Sequence, residues 1–188
     1  MISPNSRYIG QQLSEIRDRK GKNAFLESIM SDPTATILNE MNGHRTILFQ
    51  GNKGPKTGTW NQTKLMAFEL NEAGFDVAFL PELLNETCAD CLLNFGKIYK
   101  IVDFKYCVTR KANTLVMDLE HGFQQANTIV LKLSNMDTGA FKKAIEYLLR
   151  NGLPFGDVIL LNKYGKILQV SKRDFHTSIY RKRIKGFL

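Results

Sequence analysis

A chain of 188 residues, 43% of them hydrophobic, can bury the core of one domain, or of one domain with an N-terminal attachment, which excludes wholesale disorder. Twenty-six Lys and Arg against eighteen Asp and Glu leave a formal charge of +8, a balance that favours anionic partners, with nucleic acid ahead of a membrane surface. No run approaches the about 18 apolar residues of a membrane-spanning helix. The start Met1-Ile2-Ser3-Pro4-Asn5 lacks the features of a signal peptide, and three cysteines cannot all pair, so a soluble, reduced protein is expected.

In chain order, residues 7–30 carry helical periodicity through Ile9, Leu13, Ile16, Phe25, Leu26 and Ile29. Asp32-Pro33 reads as the start of a further short helix over Thr34 to Met41, and Thr46 to Gln50 reads as a strand. Gly51 to Gly58 is a basic loop; it lacks the Gly-Lys-Ser/Thr register by which a P-loop gathers amides, Lys and hydroxyl on one triphosphate. Residues 61–73 predict a helix closed by Gly74, and Phe75 to Leu80 a strand ended by Pro81. Cys91 to Phe95 and Lys97 to Val108 predict a hairpin about Gly96. Thr114 to Asn127 predicts a helix, Thr128 to Leu133 a buried strand and 137–150 an amphipathic helix. Asp157 to Leu161 and Lys166 to Val170 form a second hairpin about Lys163-Tyr164-Gly165. The order is helix, three strands, helix, strand, helix, two strands. It predicts an α/β fold in which helices flank a mixed central sheet. Residues 1–60 are expected to form a mainly helical extension, and 61–188 the functional domain.

The chemistry concentrates around the central hairpin. Asp103 and Lys105 stand two apart in a predicted strand, so both side chains point to one face. With Phe95-Gly96 as the turn, paired residues sum to 191, which sets Asp90 opposite Ile101 and makes it a diagonal neighbour of Asp103. Two carboxylates so placed can share a hard divalent cation, and Lys105 can orient or deprotonate a water, or steady charge on a phosphate. Glu69, mid-helix between Phe68 and Leu70, is the expected third acid, with Glu82 as its rival.

An acid on a helix, an Asp opening a strand and Asp-x-Lys on the next strand resemble the PD-(D/E)xK nuclease superfamily. Ala89-Asp90 stands for its first element, without the proline, and Asp103-Phe104-Lys105 for its second. The ordered set Ala73-Gly74, Leu80-Pro81-Glu82, Asp90, Asp103-Phe104-Lys105, Gln125-Ala126 and Ile129-Val130-Leu131 is similar to the C-terminal tRNase-type toxin domains of CdiA contact-dependent growth-inhibition proteins. The resemblance covers about residues 61–170. It implies a restriction-endonuclease-like core and a divalent metal on Asp90, Asp103 and Glu69. That metal would be Mg2+, with Mn2+ or Zn2+ as alternatives. It also implies a catalytic set of these acids with Lys105 and Gln125, a preference for tRNA over DNA and a cognate immunity protein. The site of action would be the cytoplasm, after delivery from a secreted or cell-surface carrier.

Cys88-Ala89-Asp90-Cys91 has the C-x2-C spacing, but a second ligand pair for zinc is missing, and His44, His121 and His176 form no visible dyad with a nucleophile. From Ser171 onward, Lys172, Arg173, Arg181, Lys182, Arg183 and Lys185 face a single acid, with Phe175 and Tyr180 interleaved, as phosphate contact and base stacking require. The alternatives are a non-catalytic nucleic-acid-binding module on the same fold, a DNA-cleaving nuclease and a metal-independent ribonuclease using His176 or Lys105.

Overall fold

The computed structural model describes residues 4–49, 59–81, 89–177 and 179–188. The basic loop 51–58, Glu82 and Cys88 lie outside the described residues. Among those described are eight strands and seven helices, a mixed α/β architecture. They form two compact units, Met1–Val102 and Asp103–Leu188.

The first unit opens with α1 (Ser6–Glu15) and α2 (Arg19–Met30), each started by a side-chain cap: Asn5 accepts from the Tyr8 amide, and Asp18 from the Gly21 amide. Strands β1 (Thr36–Met41) and β2 (His44–Leu48) follow as an antiparallel hairpin. The helix expected over Thr34 to Met41 is therefore a strand. The reason lies in Asn42-Gly43, whose φ values of 55° and 80° make the tight left-handed turn that a two-residue hairpin demands. Helix α3 (Thr59–Glu72) stands between β2 and β3 (Asp76–Phe79), which pair in parallel and so need a crossover. Strands β4 (Cys91–Phe95) and β5 (Ile98–Cys107) complete the order β1-β2-β3-β4-β5. Their hairpin turns on Gly96-Lys97, with φ of 55° and 68°, so partners sum to 193: Phe95 meets Ile98 and Cys91 meets Val102. The expected sum of 191 is corrected by two residues. A shift of two keeps the alternation of faces but removes the diagonal offset inferred for Asp90.

Ile9, Leu26, Ile29 and Met30 of the two N-terminal helices pack on Ile47, Ala78, Leu80 and Leu92 to make this unit's core. Inside it, Asn71 of α3 is fully buried and satisfied: its carbonyl accepts from Asn39 Nδ2 (2.9 Å) and Thr46 Oγ1 (2.7 Å), and its Nδ2 donates to the Phe75 carbonyl (2.9 Å).

In the second unit, α4 (Ala112–Gln125) leads to β6 (Thr128–Leu133), buried along its whole length. Helix α5 (Thr138–Arg150) begins at an Asp137 cap and crosses over to β7 (Asp157–Leu161), parallel to β6, and β8 (Ile167–Val170) closes antiparallel against β7. The order from α3 to β8 is the one expected from sequence. Residues 171–185 hold two more helices, α6 (Lys172–Phe175), started by a Ser171–Asp174 capping box, and α7 (Ile179–Lys185). Phe175, Tyr180 and Ile184 join the core made by α4, α5, β6 and β7. No described helix is long and apolar enough to cross a membrane.

Asn71→Ala strands a buried Thr46 hydroxyl and the Phe75 carbonyl while opening a cavity. We expect a loss of about 3 kcal/mol in urea unfolding; a loss below about 1 kcal/mol would remove this network from the framework.

Candidate active site

Alternation along β5 puts Asp103, Lys105 and Cys107 on the face that α4 covers. Asp103 is 1% exposed, and Lys105 Nζ lies 2.7 Å from its Oδ2, with the lysine side chain 21% exposed. The ion pair thus has one buried end and one that reaches toward water. The helix comes this close because residue 122 is glycine: a Cβ there would sit 2.7 Å from Ile129 Cδ1 and 3.0 Å from Asp103 Oδ2. A larger residue would push α4 away from the carboxylate.

The same helix supplies Asp118, which the sequence reading did not single out. It stands three residues after Leu115 and four before Gly122, both buried, and so falls within the stripe that faces the sheet. That position was the available signal. Burial, the largest influence, raises the Asp118 carboxyl above its ordinary 3.8, against a hydrogen bond from Cys107 and the charges of Lys105 and His121. Burial likewise raises the Cys107 thiol, and the Asp118 charge adds to it, while a backbone hydrogen bond at Thr109 opposes. A thiol shifted upward stays protonated at neutral pH and serves as a donor to Asp118 instead of a nucleophile. Gln125, half-buried, ends α4.

In the first unit, Glu69 is half-buried on α3, and Asp90 is half-buried immediately before β4. The backbone carbonyl of Asp90 accepts from the Leu80 amide at 2.9 Å, which continues the β3–β4 ladder past Phe79 and Cys91. Among the described residues, no three His, Cys, Asp or Glu side chains group closely enough to hold a metal ion.

The six C-terminal cations divide into two kinds. Arg181 bonds Glu146 at 3.2 Å, and Arg183 reaches Asp174 at 3.4 Å and the Gln169 carbonyl at 2.9 Å. These two guanidinium groups pin α7 to the rest of its unit. Lys172, Arg173, Lys182 and Lys185 are exposed and make no ion pair among the described residues.

No family model and no curated protein matches the chain. Among solved structures there is one likeness to report. The CdiA-CT/CdiI toxin and immunity complex from Burkholderia pseudomallei is similar at 22% identity over 62% of this chain and 91% of that one, with a TM-score of 0.48.

Two outcomes follow from the geometry. Lys105→Met leaves Asp103 buried without its ammonium and should cost about 3 kcal/mol in urea unfolding, most of it recovered in the Asp103→Asn/Lys105→Met double variant; equal losses in both would mean the charges are uncoupled. For Asp118 the folded state holds the proton more tightly than the unfolded chain does. Its contribution is therefore complete below pH 3.8 and declines as pH rises through the raised folded value. Asp118→Asn should abolish that decline, so melting curves of the variant gain on the parent as pH rises above about 4; parallel profiles would refute the assignment.

Proposed function

We propose that the chain is a metal-dependent endonuclease that hydrolyses phosphodiester bonds, with RNA and especially tRNA as substrate, and that it acts as an interbacterial toxin domain. The observation that carries this reading is the Asp103–Lys105 pair: a carboxylate 1% exposed, held at 2.7 Å by a lysine that reaches toward water. Ionisable side chains placed in a buried strand in this way mark sites of chemistry more often than they add stability. The ordered sequence elements around the pair, and the net charge of +8, support a nucleic-acid substrate.

The donors proposed for the metal, Asp103 with Asp90 and Glu69, are all carboxylate oxygens, a chemistry that suits Mg2+ or Mn2+ better than Zn2+; they would have to draw together around the ion, because no three such side chains group among the described residues. A bound divalent ion would supply charge to offset the negative phosphate during in-line displacement. Asp103 is the buried anchor for such an ion, and Lys105 neutralises that anchor in the ion's absence. Its Nζ holds a proton next to the carboxylate and can orient the attacking water or donate to a phosphate oxygen. Gly122 keeps α4 close enough to shield Asp103. Gln125, at the end of the same helix, is assigned a part in positioning substrate. Lys172, Arg173, Lys182 and Lys185 are assigned phosphate contacts, whereas Arg181 and Arg183 have partners within the chain. An immunity protein for a domain this basic would cover it with acidic surface.

A second reading has one observation in its favour. Because no three-ligand group occurs among the described residues, a non-catalytic nucleic-acid-binding module on the same fold is the competing assignment.

Total tRNA and plasmid DNA, each incubated with the purified chain in Mg2+, Mn2+ or EDTA, separate the two. We expect cleavage of tRNA with metal, none in EDTA, and a loss of at least about 100-fold in Asp103→Ala and in Lys105→Ala. Binding without cleavage under every condition would establish the module, and cleavage that persists in EDTA would overturn the metal.

A further inference from the structure

The carboxyl ends of three strands meet in the second unit. Cys107 ends β5, and its carbonyl accepts from the amide of Ser134, the residue after β6. Leu161 ends β7 beside Lys132 of β6, and Asn162 follows it. Where such ends converge, side chains of the departing loops surround a crevice, the usual place for ligands in α/β sheets. Here the crevice is a cavity of about 130 Å3.

Five of its eight lining residues have polar side chains, Arg110, Ser134, Asn135, Asn162 and Lys163; the other three are Leu133, Met136 and Leu188, whose terminal carboxylate is the one acidic group on a lining residue, against the two cations. The loops are fixed by their own hydrogen bonds. Asn162 Oδ1 accepts from the amides of Tyr164 (2.9 Å) and Lys166 (3.0 Å), and its Nδ2 donates to the Phe187 carbonyl at 2.8 Å. Ser134 Oγ bonds the Tyr106 hydroxyl at 3.1 Å, and Asn135 Nδ2 donates to the Val108 carbonyl at 3.2 Å. Asn162 thereby sets the turn that carries Lys163, and Asn135 ties its loop to the end of β5, from which Arg110 projects. Neither Arg110 nor Lys163 has an ion-pair partner among the described residues, and Lys163 rests over the Tyr164 ring, 4.9 Å from its centroid.

Two unpaired cations with hydroxyl and amide groups around a small cavity make a receptor for one tetrahedral dianion or monoanion. We propose that this cavity binds a backbone phosphate of a polynucleotide. The inference rests on the nuclease reading for its substrate class and deepens it. Asp103 and Cys107 stand four positions apart, about 13 Å of extended strand, so a phosphate held at this end is not the one attacked next to Asp103. The substrate is therefore a chain of several nucleotides, gripped away from the cut, and not a mononucleotide.

The test uses the full chain with Lys105→Ala to suppress cleavage, and measures binding of a fluorescein-labelled 12-nucleotide single-stranded RNA across a range of salt. Adding Arg110→Ala/Lys163→Ala should weaken binding about 10-fold or more and lower the salt slope by about 0.7, the share of one phosphate on a single strand. The conservative pair Arg110→Lys/Lys163→Arg should restore most of both, and melting temperatures should stay level. Lys142→Ala/Lys143→Ala on α5 is the control for general charge. An unchanged affinity and slope, or an equal loss in the control pair, overturns the site. If the site variants lose the slope while the unmodified chain never cuts any substrate, the phosphate site stands and the nuclease reading falls.

Discussion

A carboxylate removed from water and held against a lysine is costly to place, and the second unit is arranged around doing so. Taking Asp103 into the interior forfeits hydration that Lys105 repays only because the two approach to 2.7 Å under the cover of α4. That cover depends on Gly122, since any Cβ would strike Ile129 and Asp103. The packing of α4, the parity of β5 and the ion pair are one constraint seen from three sides.

Asp118 extends the same constraint into electrostatics. A second acid on the covering helix faces a strand that already holds one, and burial pushes its carboxyl toward the neutral form. Burial thus raises both the Asp118 carboxyl and the Cys107 thiol beside Lys105, and the hydrogen bond between them couples the helix to the strand. Arg181 and Arg183 illustrate the opposite use of charge. Their partners, Glu146, Asp174 and the Gln169 carbonyl, turn what composition presents as a ligand-seeking segment into a docked helix, and leave the neighbouring lysines to solvent.

Local signals in the chain were strong where chemistry is local. The Asp137 cap, the amphipathic 138–150 helix and the largely apolar, wholly buried β6 run could be read directly, as could the order of elements from α3 to β8. Two misreadings have a local cause as well. Asp32-Pro33 resembles a helix start, yet Asn42-Gly43 ten residues on is a hairpin signal of greater strength, and it governs Thr36–Met41. At the central hairpin, placing the turn at Phe95-Gly96 instead of Gly96-Lys97 moved every pair by two, because a lysine at positive φ is not what sequence statistics favour.

The sequence by itself determined the elements, the alternation that sets Asp103 and Lys105 on one face, and the charge that points to an anionic partner, because each depends on residues a few positions apart. Tertiary structure alone decided which helix covers that face, that Asp118 joins it and that Gly122 is the reason it can. It also decided that Arg110 and Lys163, 53 positions apart in the chain (163 minus 110), line one cavity. These are matters of packing between segments distant in sequence, where the partner of a side chain is fixed by how elements stack and not by what adjoins it in the chain.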